Sequence, residues 1–206
     1  MLEKLKPHLE AGKSLREYPW HEGEEKRVRS LQFLTLKGIV TALNCGESNF
    51  PNPQLVEQAK TKLTGPRSEV CELCAKVEAE VSQIENVQER AEFLEALGVA
   101  EPAINVLTRR LYKALGYISF FTTGEDEVRA WTIRHGATSV DAAHAIHSDL
   151  ARGFIRAEVM KYGELTGSGD TGHAAEVKLK ETGKLLIKGK DYIVEDGDIV
   201  HIRHSG

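Results

Sequence analysis

In the last third of this 206-residue chain, three stretches read as strands around short helices: Glu127–Ile133, Gly153–Tyr162 and Asp191–Arg203. Successive side chains of a strand point to opposite faces, so period-two alternation commits a segment to a sheet with a buried side. Gly153-Phe154-Ile155-Arg156-Ala157-Glu158-Val159 alternates in this way. So does Asp191-Tyr192-Ile193-Val194, followed by the turn residues Glu195-Asp196-Gly197-Asp198 and by Ile199-Val200-His201-Ile202-Arg203. Between the first two strands, Ser139 is placed to cap a short helix whose apolar stripe is Val140, Ala143 and Ile146.

Strand, helix, strand and closing hairpin, in that order, predict a small ubiquitin-like β-grasp module. Two segments precede it. Residues 1–36 are charged, and Leu5, Leu9, Leu15, Val28, Leu31 and Leu34 are spaced for two helical pieces broken at Tyr18-Pro19-Trp20. Residues 37–116 read as strand, helix, strand and further helices. Gly38-Ile39-Val40-Thr41-Ala42-Leu43-Asn44 is a continuous apolar run, typical of a parallel strand buried on both faces. Asn52-Pro53 starts a helix through Leu63, and Glu69–Ala75 is a second strand. Asn86 with Glu89 resembles a capping box. It opens a helix with Ala91, Leu94 and Leu97 inward, stopped by Gly98; Ile104, Leu107, Leu111 and Leu115 line the next, which ends at Gly116. The fold class expected is α/β for the middle segment and α+β for the last.

Composition narrows the function classes. With 41% hydrophobic and 28% charged residues the chain is ordinary for a soluble globular protein. No apolar run approaches the roughly 18 residues of a membrane span, and Met1–Lys13 is too charged for a signal peptide. Three cysteines are too few for a disulfide framework, which favours a reducing cytoplasm. Net charge is −4, and residues 121–206 hold 11 Lys/Arg against 14 Asp/Glu, so any RNA contact has to be local.

A resemblance runs through these same residues. Phe120-Phe121-Thr122-Thr123-Gly124, Glu127-Val128-Arg129-Ala130-Trp131-Thr132-Ile133, Ile146-His147-Ser148-Asp149, Arg152-Gly153-Phe154-Ile155-Arg156-Ala157-Glu158 and Gly189-Lys190-Asp191-Tyr192-Ile193-Val194 resemble the C-terminal TGS domain of the YchF (Obg-like ATPase) family. The match extends upstream nearly to Met1. It implies three parts: 1–36, the return of a helical coiled-coil arm; 37–116, the C-terminal half of a P-loop NTPase-type parallel sheet with helices; and 117–206, a TGS-like β-grasp domain. It also implies ATP or GTP as ligand, association with the ribosome or its RNA and proteins, and a role in regulating translation. The family's phosphate-binding half lies N-terminal to anything present here. Magnesium is therefore expected only if that half is supplied, and the isolated chain is expected to bind nucleotide weakly and not to hydrolyse it. The upstream segment, or a partner chain, is expected to cover the open edge of Gly38–Asn44.

Guanine nucleotide-binding proteins end a buried strand with Asn-Lys-x-Asp, whose Asp accepts from guanine N1–H and N2–H2. Here the strand ends in Asn44-Cys45-Gly46-Glu47. Glu47 is one methylene longer than Asp and cannot lie in the same plane against the base edge, which removes the pairing that rejects adenine. In the place of the family's Ser-Ala-Lys loop stands Cys74-Ala75-Lys76, which keeps backbone donors and loses the serine hydroxyl. Asn44, Cys45, Glu47, Cys74 and Ala75 are thus the candidate base-binding residues. No catalytic residue is expected.

Other motifs carry less. Ala11-Gly12-Lys13-Ser14 looks like the tail of a phosphate loop, but Pro7 stands where its first glycine is required. Cys71 and Cys74 spell C-x-x-C, yet residues three apart on a strand face opposite ways and no second pair exists, so no metal is expected. His144, His147 and Asp149 read as a structural helix end, and the acidic run 195–198 as a tight turn. Arg129, Arg134, Arg152 and Arg156, with Trp131 and Phe154, are the candidate surface for RNA or a ribosomal protein. A non-enzymatic β-grasp adaptor that binds RNA or protein is the alternative function.

Overall fold

The chain divides into two units, Met1–Leu115 and Gly116–Gly206. The computed structural model describes residues 1–21, 23–63, 65–124, 127–167 and 172–205.

The first unit begins with helix α1 (Leu2–Glu10), a 3-10 turn at Leu15–Glu17 and helix α2 (Glu24–Val28). Leu5, Leu15, Val28 and Leu36 form a buried cluster closed by Tyr18, Trp20 and Phe33. Trp20 Nε1 donates to Leu15 O at 2.9 Å, which fixes the break between the helical pieces. Leu9, Leu31 and Leu34 are exposed, because short helices separated by an extended Tyr18 cannot carry one continuous stripe.

Next come strand β1 (Ile39–Asn44), helix α3 (Pro53–Leu63), strand β2 (Ser68–Leu73) and helices α4 (Ala75–Gln83), α5 (Val87–Ala96) and α6 (Ala103–Leu115). β1 and β2 run parallel, with Ile39 facing Ser68 and Asn44 facing Leu73. Among the described residues β2 is the only strand beside β1, so β1 is half-buried rather than enclosed on both faces, and Ile39 is exposed. β2 ends at Leu73 because Cys74 and Ala75 already belong to the start of α4. Gly38 is required by packing: a Cβ there would lie 2.6 Å from Ala114 O of α6. α6 therefore turns Ala114 inward, and the Ile104, Leu111 and Leu115 stripe faces outward. In α5 only Leu94 of the three expected residues is buried, with Phe93 beside it and Val77 and Val81 of α4 against it. Asn86 caps α5 by accepting from Gln88 and Glu89 N–H, and Gly98 (φ 69°) ends it with Val99 N–H bonded to Leu94 O.

The second unit contains strands β3 (Tyr117–Thr123) and β4 (Val128–Arg134), helices α7 (Ser139–Ile146) and α8 (Ser148–Arg152), strand β5 (Phe154–Lys161), helices α9 (Tyr162–Thr166) and α10 (Gly172–Glu181), and strands β6 (Leu186–Lys188) and β7 (Asp198–His204). The sheet order is β4-β3-β7-β5-β6. β3 pairs antiparallel with β4 and parallel with β7, and β5 pairs antiparallel with β7 and β6. Both faces are covered. Ile118, Phe120, Ile133, Ala157, Val159 and Val200 pack with Ala142 and Ala143 of α7. On the reverse face Met160 and Ile199 pack with Leu179 of α10, Leu165 of α9 and Phe121.

The last segment departs from the expected pattern in its closing strand and in the cap of α7. Asp191–Val194 is not a strand and forms no hairpin with Ile199–Arg203; β6 lies upstream, at Leu186–Lys188. Residues 192–194 instead clip the entry to α7: Ser139 N–H bonds Tyr192 O at 2.9 Å and Val194 N–H bonds Ala137 O at 3.0 Å. The α7 cap is Thr138, not Ser139, because Thr138 and Asp141 complete a reciprocal capping box. The acidic turn is held by Asp198, which is fully buried, accepts from Tyr192 O–H and Glu195 N–H and pairs with Lys161 Nζ at 2.6 Å. Lys161 is thereby kept protonated well above the usual lysine range, its bonds to Asp198, Glu195 and Tyr192 outweighing desolvation. That anchor starts β7 down the middle of the sheet. No helix among the described residues is long and apolar enough to cross a membrane.

Candidate functional site

Parallel strands carry their connecting segments at the C-terminal ends, and there β1 and β2 deliver the five candidate residues into one corner. Asn44 closes β1, Cys45 to Glu47 follow it, and Cys74 with Ala75 leads from β2 into α4. The two strand ends are bonded together. Cys45 N–H donates to Leu73 O at 2.8 Å, and Asn44 Oδ1 accepts from Ala75 N–H at 3.1 Å. The asparagine side chain thus spends its oxygen on the neighbouring loop and leaves its NH2 as the outward donor.

Glu47 does not stand free. Lys76 Nζ lies 2.7 Å from Glu47 Oε2, and this contact pushes the Lys76 ammonium above its ordinary range. Glu47 is therefore paired with a lysine in the first turn of α4. Asn44, Glu47, Ala75 and Lys76 are exposed, while Cys45 and Cys74 are buried beneath them. Burial, with Glu72 and Cys74 adding to it, raises the Cys45 thiol. Lys76 was legible as the third residue of Cys74-Ala75-Lys76, but its bond to Glu47 was not, since it joins residues far apart in sequence.

The four arginines do not form one surface. Arg129 stacks 4.2 Å over the Trp131 ring, and Arg134 stacks 4.4 Å over Tyr117. Trp131 Nε1 donates to Thr122 Oγ1 at 2.9 Å, which holds the ring in place. Both arginines lie on the edge strand β4. Arg156 lies on β5, with β3 and β7 in between, and pairs with Glu158 at 3.2 Å. Arg152 pairs with Asp149 in α8 at 3.4 Å. Phe154 opens β5 and is buried in the core between the sheet and α7, so it is not part of an exposed patch.

Among the described residues no three His, Cys, Asp or Glu side chains are grouped to hold a metal ion. His147 Nδ1 accepts from Asp149 N–H at 3.2 Å and so caps α8, while His144 is exposed. Gly12 (φ 73°) sits in a turn after α1, without a preceding strand.

Comparison with known proteins gives consistent results. The YchF-GTPase_C family model, described as a protein of unknown function (DUF933), matches residues 117–205. The ribosome-binding ATPase YchF of Bacillus subtilis is 38% identical over 208 residues, covering 100% of this chain and 55% of the relative. The protein of the same name from Shigella flexneri is 40% identical over 202 residues, covering 98% of this chain and 54% of the relative. The structure of the Schizosaccharomyces pombe YchF GTPase superposes with a TM-score of 0.75 at 30% identity, covering 98% of this chain and 53% of that one. The chain therefore spans about half the length of the curated relatives it matches. Over its whole length it is a homologue of the C-terminal part of the YchF proteins.

Proposed function

We propose that this chain supplies the base-recognition corner and the ribosome-facing module of a YchF-type nucleotide-binding protein. In this reading Asn44, Cys45, Glu47, Cys74 and Ala75 contact the purine of ATP or GTP. Residues 1–36 are the return of a helical arm, 37–116 the second half of a P-loop-type nucleotide domain, and 117–206 a TGS-like β-grasp domain that docks on ribosomal RNA or protein. The observation that carries the reading is the bond from Ala75 N–H to Asn44 Oδ1. It ties the two loops that must act together on a planar base.

The Lys76–Glu47 pair supports acceptance of adenine. A carboxylate held by an ammonium neither demands guanine N–H donors nor strongly repels the adenine N1 lone pair. Phosphate binding, magnesium and hydrolysis belong, in this proposal, to a phosphate loop outside these residues, so nucleotide binding by the chain alone is weak. The test is titration of a fluorescent ATP analogue against this chain and against a longer polypeptide that adds a phosphate-binding half. Tight binding only to the longer protein, weakened by Asn44→Ala, is expected. Absence of binding to both removes the nucleotide reading.

A second reading, an adaptor that binds RNA or protein without nucleotide, is favoured by the Arg129–Trp131 and Arg134–Tyr117 stacks on an edge strand. Ribosome cosedimentation of Arg129→Ala and Arg134→Ala separates the two. Loss of ribosome binding with unchanged nucleotide titration assigns β4 to docking alone.

A further inference from the structure

The pairing of β1 with β2 runs one step past the end of both strands. Asn44 faces Leu73, and the bond from Cys45 N–H to Leu73 O carries the ladder forward. The next facing positions are Cys45 and Cys74. Cys74 is still extended (φ −118°, ψ 105°) before α4 begins. Facing residues on neighbouring strands share one side of the sheet and lie about 4.8 Å apart across it. Disulfides span Cα separations of roughly 4.4–6.8 Å. Cys74 is near enough to add to burial and Glu72 in raising the Cys45 thiol. Cys71, three residues before Cys74, faces the other way and senses Arg110 of α6 instead.

We propose that Cys45 and Cys74 are a redox-modification site that closes into a reversible disulfide when the protein meets a hydroperoxide. This holds whether or not the corner binds a base. Cys45 is 9% exposed and Cys74 1%, so the oxidant reaches Cys45 first. The Cys45 thiolate attacks the O–O bond of hydrogen peroxide and takes one oxygen as a sulfenic acid. The departing hydroxide gains a proton and leaves as water. Cys74, as thiolate, then attacks the sulfenic sulfur. The S–S bond forms, the S–O bond breaks, and hydroxide leaves as a second water with the proton Cys74 has lost. Two thiols are oxidised to one disulfide and one peroxide is reduced to two waters.

The product would cross-link the end of β1, with Asn44 and the following Glu47, to the start of α4, with Ala75 and Lys76, fixing their spacing beyond what the Asn44–Ala75 bond does. Burial around Cys45 makes the first step slow at neutral pH and faster as pH rises.

The test treats the full chain with hydrogen peroxide, blocks remaining thiols by alkylation, digests with trypsin and maps the peptides without reduction. The expected product is monomeric, lighter by two hydrogens, and joins the peptide 38–60 to the peptide 68–76. Dithiothreitol reverses it. Because the second peptide holds both Cys71 and Cys74, the Cys71→Ala variant is decisive: it keeps the link, whereas Cys45→Ala and Cys74→Ala abolish it. If either of the last two fails to fold, the Cys71→Ala map still locates the bond. The closure rate is expected to rise about tenfold per pH unit between pH 7 and 8, following the thiolate fraction. A Cys71–Cys74 bridge, a cross-link between chains, a stable sulfinic acid on Cys45 or unreacted thiols would each overturn the proposal.

Discussion

Replacing Asp198 by alanine is expected to cost the second unit about 3–4 kcal/mol. Asp198 is fully buried, and its two oxygens serve three donors: Lys161 Nζ at 2.6 Å, Tyr192 O–H at 2.8 Å and Glu195 N–H at 2.9 Å. Tyr192 O–H and the Glu195 amide lose their acceptor in a place water reaches poorly, at about 1–3 kcal/mol for each orphaned group. Lys161 loses less, because its side chain is 37% exposed and keeps Glu195 Oε2 at 2.8 Å. Removing one partner of a buried pair costs about 3–5 kcal/mol in general, and the exposure of Lys161 places this case at the lower end. Urea unfolding followed by Trp131 fluorescence, in a Trp20→Phe background, isolates the second unit. With a urea slope near 1 kcal/mol/M for a unit of this size, the midpoint should fall by about 3 M. Asp198→Asn, which retains one acceptor oxygen, should lose about half as much. A loss below about 1 kcal/mol for Asp198→Ala would show that this anchor does not hold β7 in the sheet centre.

Three further perturbations test separate links. Gly38→Ala places a Cβ 2.6 Å from Ala114 O and should destabilise the first unit by about 1–3 kcal/mol, whereas Gly46→Ala meets nothing within 4 Å and should be neutral; chemical denaturation distinguishes them. Thr138→Ala removes the α7 cap at a cost of about 1 kcal/mol at pH 7, measured by thermal or urea unfolding. The Thr138 N–H and O–H hold the Asp141 carboxyl below its ordinary range, so its contribution is full above the unfolded value near 3.9 and is lost as pH falls through the lower folded value. The stability difference between Thr138→Ala and the parent should accordingly shrink below about pH 4. Asn44→Ala frees the Ala75 amide and should speed its hydrogen exchange severalfold, leaving the Cys45 amide unchanged.

The sequence made the local signals plain and the long-range ones obscure. β1, α3 and α7 were legible because apolar runs, Asn52-Pro53 and turn residues act within a few positions. α6 was legible as a helix but not in its orientation. Its Ile104, Leu111 and Leu115 stripe has the right period for burial, yet the close approach of Gly38 to Ala114 turns a different face inward. Asp191–Val194 has strand alternation but serves as a clip on α7, because β7 is already paired with β3 on one edge and β5 on the other and offers no edge for a hairpin. At the site, Asn44, Cys45, Glu47, Cys74 and Ala75 were named from motif positions, and they meet at two adjacent strand ends. The Lys76–Glu47 pair was not legible, since nothing in local spacing links residues 47 and 76. The arginine surface failed as a single patch for a related reason: sequence shows charges but not the sheet order that separates β4 from β5.

Amide chemical-shift mapping by NMR, with adenosine and then guanosine added to the isotope-labelled chain, addresses purine recognition most directly. Saturable shifts at Gly46, Glu47, Ala75 and Lys76, of similar size for both nucleosides and reduced in Asn44→Ala, are the predicted result. Shifts centred elsewhere, or none at the solubility limit of either nucleoside, would contradict a purine-reading corner at the ends of β1 and β2.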